Sequence, residues 1–224
     1  MNDDILDKQS YVSNASLHYL LQELIPMTIR VSHKLSDPTT TSKLAIESQD
    51  TQDNDGHHPN TQPDKPLSTI PNDFPGTISI LAHPSLQQDE ITIRIENYGY
   101  QIGLKIANVL LYKMTNSKLI VDVLDVMKFV CRDVWVCMYN KQMDNLRTNH
   151  RGTFVLVDNN YRLINQLNSP KGMQDTLNKS KVYLWFPCGV IRGILASFGV
   201  DANVSAEITQ FPSVTFNIHT TINN

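Results

Sequence analysis

Cys188 is the side chain of this chain with the sharpest potential for covalent chemistry. It follows Pro187, and a helix opened by that proline would set the thiol near the positive end of a helix dipole, where thiolates are favoured. His150 or His219 would then serve as base. Neither histidine is near Cys188 in sequence, and with Gly189 and Gly193 following it the thiol reads as a small buried apolar group, so Cys188 is expected to be structural. Cys131 and Cys137 lie six apart on one helical pattern, a separation of about 240° around the axis that forbids joint chelation. Asp53, Asp55, His57 and His58 are of metal-ligating types. A metal there would also have to order the polar segment that carries them, so no metal site is expected.

Asp122 and Asp125 share a helix face that Lys128 and Arg132 continue at steps of three and four, and with Asp133 they look like a solvated surface, not a general acid–base pair. Lys141, Arg147, His150 and Arg151 cluster near a hairpin and could touch phosphates, but no aromatic platform accompanies them, and no nucleic-acid partner is expected. Neither a Walker A pattern nor a strand–GxGxxG–helix unit occurs, so no nucleotide cofactor is expected.

Helices and strands must position these groups. Leu17, Leu20, Leu21, Leu24 and Ile25 recur at helical spacing behind Asn14 or Ser16, predicting a first helix over 13–34 that Pro26 should kink or split. Ile91, Ile95, Tyr98, Ile102, Ile106 and Val109 make one continuous apolar face, a second helix over 90–112. Gly99 and Gly103 lay a strip without side chains along it, on which another helix can approach closely. Ile120, Leu124, Met127, Val130 or Cys131, Val134 and Met138 predict a third helix over 118–140, its stripe widened by Trp135.

At Met143 the period changes to two. Leu146, Phe154 and Leu156, with β-branched neighbours, flank Asn149–His150–Arg151–Gly152 and predict a hairpin of strands 143–149 and 153–158. Val204, Ala206 and Ile208, then Val214, Phe216 and Ile218, alternate with polar residues on either side of Phe211–Pro212–Ser213, a second hairpin. The expected fold is α+β: a small antiparallel sheet of about four strands with long helices packed on one face. Lys181–Phe186 reads as a short strand by propensity.

Residues 36–76 hold seven acids, two lysines and six of the eleven prolines, so the net charge of −3 divides into −5 there and +2 elsewhere. Few of these residues can bury surface, and the segment is expected to be a disordered acidic insertion in a single domain spanning 1–224. No apolar run approaches the roughly 18 residues of a spanning helix. The first residues, MNDDILDKQ, are acidic where a secretory signal is basic. Three cysteines without a CxxC pair suit a reducing compartment, so a cytoplasmic chain is expected.

LDVMKFVCRDVWVCMYNKQMDNLRTNHRGTFVLVDNN (124–160), with YGYQIGLKIANVLLY (98–112) and CGVIRGILASFGV (188–200), resembles the small subunits of the transport protein particle, TRAPP. KQMDNLRTNHRGTFVLVDNNYRL points within that family to subunit six. The likeness runs from Ile91 to Ile218 plus the first helix, and leaves the acidic insertion outside it. It implies one helix running through Pro187 to about Phe198, in place of a strand at 181–186.

The resemblance further implies a non-catalytic subunit that pairs with a homologous sister through helix faces near the amino terminus. The resulting heterodimer would be a scaffold in a tethering particle that acts as a nucleotide-exchange factor for Rab-type GTPases between endoplasmic reticulum and Golgi. Membrane association would then be peripheral, through the assembly. Leu17, Leu21, Leu24, Ile95, Tyr98 and Ile102 are the expected contributors to the partner interface. A sister subunit of the family carries an acylated cysteine at the end of its second helix; the matching stretch here, 112–118, has none, so neither acylation nor a lipid-filled tunnel is implied.

Two other functions have different requirements. A small-molecule or lipid-binding sensor domain needs a continuous pocket between sheet and helices, and a cysteine hydrolase needs a histidine beside Cys188.

Overall fold

The computed structural model describes residues 13–36, 89–113, 120, 122–149 and 151–221. The insertion read at 36–76 lies outside them except for Ser36, as do Asp53, Asp55, His57, His58 and His150. Helix α1 (Asn14–Ser36) runs through Pro26 as one element. Of the expected kink or split, the split does not occur: Ile25, Pro26 and Ile29 are all buried, which holds the two halves against one core. Helix α2 spans Asp89–Lys113.

The third helical region begins later than its apolar pattern suggested, because the Asp122 side chain caps it by accepting the N–H of Asp125 at 2.7 Å. It is also not one regular helix. α3 (Val123–Phe129) passes through a π-helical turn (Val130–Val134) into α4 (Trp135–Tyr139). In that turn the N–H of Trp135 reaches back to the carbonyl of Val130, while the carbonyl of Cys131 accepts the N–H of Met143 at 3.0 Å. The wide turn therefore fastens the helix to the chain that enters the sheet, a contact that local periodicity does not report. Asn140, in the left-handed region at φ 54°, ends α4.

Strands β1 (Asn145–Thr148), β2 (Thr153–Asp158), β3 (Ala202–Gln210) and β4 (Ser213–Thr220) form an antiparallel sheet in the order β1-β2-β4-β3. The register aligns Leu146, Leu156, Phe216 and Ala206 in one row and Thr148, Phe154, Ile218 and Val204 in the next. These rows make the inner face, since successive side chains of a strand alternate sides. At the first turn Asn149 Oδ1 accepts the N–H groups of Arg151 and Thr153, and Gly152 takes φ 83°.

The strand suggested by propensity at 181–186 is not formed. α5 (Met173–Ser180), a 3-10 turn (Lys181–Leu184) and α6 (Trp185–Ser197) follow one another without a break, and Pro187 sits in the first turn of α6, where a missing N–H is tolerated. Val182, Tyr183, Leu184 and Phe186 are buried, so tertiary packing overrides the β-propensity of the run.

The two glycine strips meet each other. A Cβ on Gly99 would lie 2.1 Å from the carbonyl oxygen of Phe186, one on Gly103 2.3 Å from that of Val190, and one on Gly193 2.2 Å from that of Tyr100. The contact advances in the same direction along α2 and α6, so these helices run parallel, backbone against backbone. The sheet's inner face, α1, α2, the 123–139 helix and α6 enclose one apolar core, within which Trp135, Tyr139, Tyr161 and Phe216 form a cluster of tilted and edge-on rings.

Candidate partner-docking surface

Helix α1 carries two apolar stripes. Leu21, Ile25, Ile29 and the polar Thr28 and Ser32 face inward and are buried; Thr28 is satisfied by donating its hydroxyl to the Leu24 carbonyl at 2.7 Å. The second stripe, Leu17, Leu20, Leu24, Met27 and Val31 with Leu35 beyond, recurs at steps of three and four. Leu20 is 67% exposed and Leu35 53%, while Leu17, Leu24 and Val31 are half-buried.

Helix α2 divides in the same way. Its inner stripe is Ile91, Ile95, Gly99, Gly103 and Ala107, all buried. Its outer stripe is Tyr98, Ile102, Lys105, Val109 and Tyr112, with Ile102, Val109 and Tyr112 exposed. The single face read from Ile91 to Val109 is thus two faces. Hydrophobic periodicity follows side chains, and the inner stripe turns into glycine halfway along, so the pattern in the sequence drifts onto the outer stripe.

The structure sorts the expected interface residues accordingly. Leu21 and Ile95 are core residues; Leu17, Leu24 and Tyr98 are half-buried at the boundary; Ile102 is exposed. Leu20, Met27, Val109 and Tyr112 complete the outer stripes. For Leu20 and Met27 the signal was their three-and-four spacing with Leu17 and Leu24, which a single-stripe reading of α1 absorbs into the core.

The groups with chemical potential are separated. Cys188 and Cys131 are buried, and burial pushes both thiols up to about 12; for Cys188 the Glu96 carboxylate adds to the effect and Arg192 opposes it. His219 lies on the exposed side of β4 beside the Thr153 hydroxyl, at 3.3 Å, away from Cys188. Cys137 is exposed while Cys131 is not, so the two cysteines of this helix face different surroundings.

Asp125 pairs with Lys128 at 3.0 Å, and Arg132 Nε donates to the Lys128 carbonyl at 3.3 Å, the texture expected of a solvated face. Lys141 is committed to Asp158 and Asp144, at 2.5 and 3.2 Å, and leaves Arg147 and Arg151 as the exposed cations of that hairpin. Among the described residues no group of three or more His, Cys, Asp or Glu side chains could hold a metal, and no helix is long and apolar enough to cross a membrane. A cleft of about 450 Å³ opens between α1 and the segment after β2, lined by His18, Tyr19, Asn160, Arg162 and Asn165 among others. It does not lie between sheet and helices, where a small-molecule or lipid sensor would need its pocket.

A small α+β domain with a helix-backed sheet and two helices that each present a second apolar stripe outward has the build of an assembly subunit. A model of the family described as "Transport protein particle (TRAPP) component" matches residues 17–221, and the chain belongs to that family. Trafficking protein particle complex subunit 6B of Homo sapiens is 38% identical over 125 residues, 56% of this chain and 75% of the relative. The Danio rerio protein of that name is 40% identical over 125 residues, 56% of this chain and 76% of its own. Subunit 6A of Bos taurus is 36% identical over 124 residues, 55% of this chain and 74% of its own. Among solved structures, trafficking protein particle complex subunit 3 from Naegleria fowleri, covalently bound to palmitic acid, is similar with a TM-score of 0.46 and 17% identity, over 58% of this chain and 80% of that one.

Proposed function

We propose that this chain is a non-catalytic structural subunit of a TRAPP assembly, and that the outer stripes of α1 and α2 are where a homologous sister subunit docks to form a heterodimer. The observation that carries this reading is the second apolar stripe: Leu20, Met27 and Leu35 on α1 and Ile102, Val109 and Tyr112 on α2 are exposed although their helices already bury an inner stripe. Apolar residues in rows are the usual mark of a surface that is covered in an assembly. The assembly in turn is proposed to act as a nucleotide-exchange factor for Rab-type GTPases, tethering vesicles between endoplasmic reticulum and Golgi, with the chain cytoplasmic and held peripherally at those membranes. The segment 36–76 is proposed as an insertion in this single domain, in keeping with matches of about 125 residues to relatives within a family match spanning 17–221.

Leu20→Glu and Ile102→Glu test the surface. Each should abolish co-purification with a sister small subunit while the circular dichroism spectrum and melting temperature stay close to wild type. Undiminished association in both variants would exclude α1 and α2 as the docking surface.

A further inference from the structure

The outer stripe of α2 contains one charge. Lys105 is exposed between Ile102 and Val109, in line with Tyr98 and Tyr112. The residues three and four positions away are Gln101, Ile102, Asn108 and Val109, so no carboxylate of its own helix is within reach. Elsewhere on α2, Arg94 pairs with Glu90 at 2.7 Å and Glu96 with Arg192 at 3.1 Å, whereas Lys105 forms no ion pair among the described residues. No position of the α1 stripe is acidic; Glu23, which borders it three residues from Leu20 and four from Met27, is paired with Arg30 at 2.6 Å.

A partner that covers this stripe takes Lys105 out of water, which is strongly unfavourable unless a carboxylate meets it. A second copy of this chain would bring acid-free stripes together and leave the ammonium opposed by apolar side chains or by its own counterpart. We infer that Lys105 is the specificity-determining residue of the docking surface, and that its occupant is a helix of a sister subunit bearing an aspartate or glutamate opposite Lys105. A single polar residue in an apolar helical seam fixes partner and register in this way, at some expense in affinity. The inference rests on the docking surface proposed above, and deepens it from an apolar seam to one that selects its partner by charge.

The probe is the small TRAPP subunit that co-purifies with the tagged chain, identified by mass spectrometry and then purified for titration calorimetry. Lys105→Glu should weaken binding by about 30-fold or more and Lys105→Gln by about tenfold, while Lys105→Arg stays within about threefold of wild type. Lys105 is exposed, so all three variants should melt as wild type does. Replacing the facing acid of the sister by lysine should restore binding to the Lys105→Glu chain. If Leu20→Glu abolishes binding and Lys105→Glu stays within about threefold of wild type, the charge selection is wrong and the docking surface stands. If neither variant weakens binding, both fall.

Discussion

The indole N–H of Trp135 donates to Asp158 Oδ2 at 2.8 Å in the interior of the domain, tying the first residue of α4 to the last residue of β2. Asp158 is fully buried; its other carboxylate oxygen accepts from Lys141 Nζ at 2.5 Å and from the N–H of Asn160 at 3.0 Å. One carboxylate thus joins helix, strand and the turn after it.

Removing that carboxylate takes an acceptor from three donors, of which Lys141 keeps Asp144. Asp158→Ala should destabilise the domain by about 1–3 kcal/mol in urea unfolding, the range for leaving a buried donor, here the Trp135 N–H, unsatisfied. Asp158→Asn, which keeps an acceptor for Trp135, should cost less. A loss below about 1 kcal/mol for the alanine variant would show that the network contributes little.

Gly189 should not tolerate a methyl group. Its missing Cβ would lie 1.9 Å from the carbonyl oxygen of Glu96, a backbone atom that cannot swing aside. Alanine in an exposed helix position gains about 0.5–1 kcal/mol over glycine. Gly189→Ala should instead destabilise by about 1–3 kcal/mol or more, because α2 and α6 must separate. Equal or higher stability would show that the two helices are not in backbone contact.

Stability should fall on the alkaline side. Cys131 and Cys188 are raised by burial from 9.0 to about 12 in the folded chain. Their contribution is therefore fully present below pH 9 and is lost as the pH rises towards 12, because over that interval the unfolded chain releases protons that the folded chain keeps. Each thiol then lowers the unfolding free energy by up to about 1.4 kcal/mol per pH unit. Urea midpoints between pH 8 and pH 10 should show the decline, and Cys188→Ala should make it shallower. The buried hydroxyls of Tyr139 and Tyr161, raised by burial and bonded to each other at 3.1 Å, should steepen it above about pH 10. An unchanged slope in Cys188→Ala would place that thiol in water.

Thiol labelling at neutral pH should separate the three cysteines. Cys137 is exposed and should react at once, whereas Cys131 and Cys188 should react only as the protein unfolds. Fast labelling of Cys188 in the folded chain, with an ester- or amide-cleaving activity lost in Cys188→Ser, would favour the hydrolase over the scaffold.

The kinds of element and much of their extent follow from local residue pattern. Period-three-and-four apolar residues marked the helices around Leu21 and Ile95, and strict alternation around Phe216 marked the strands, because side-chain direction in each element follows from backbone geometry alone. Asn149 and Gly152 marked the first hairpin turn by their local chemistry. Which of two apolar stripes lies inside depends instead on how the helices pack. Ile95 and Ile102 are equally hydrophobic in sequence, yet Ile95 is in the core and Ile102 faces out, because the closest approach of α2 and α6 runs along glycines that carry no hydrophobic signal. The π-helical turn, the helical course of Lys181–Leu184 and the buried Asp158 were hidden for the same kind of reason: each depends on partners distant in sequence, Met143 for Cys131, the core for Val182 and Leu184, and Trp135 for Asp158.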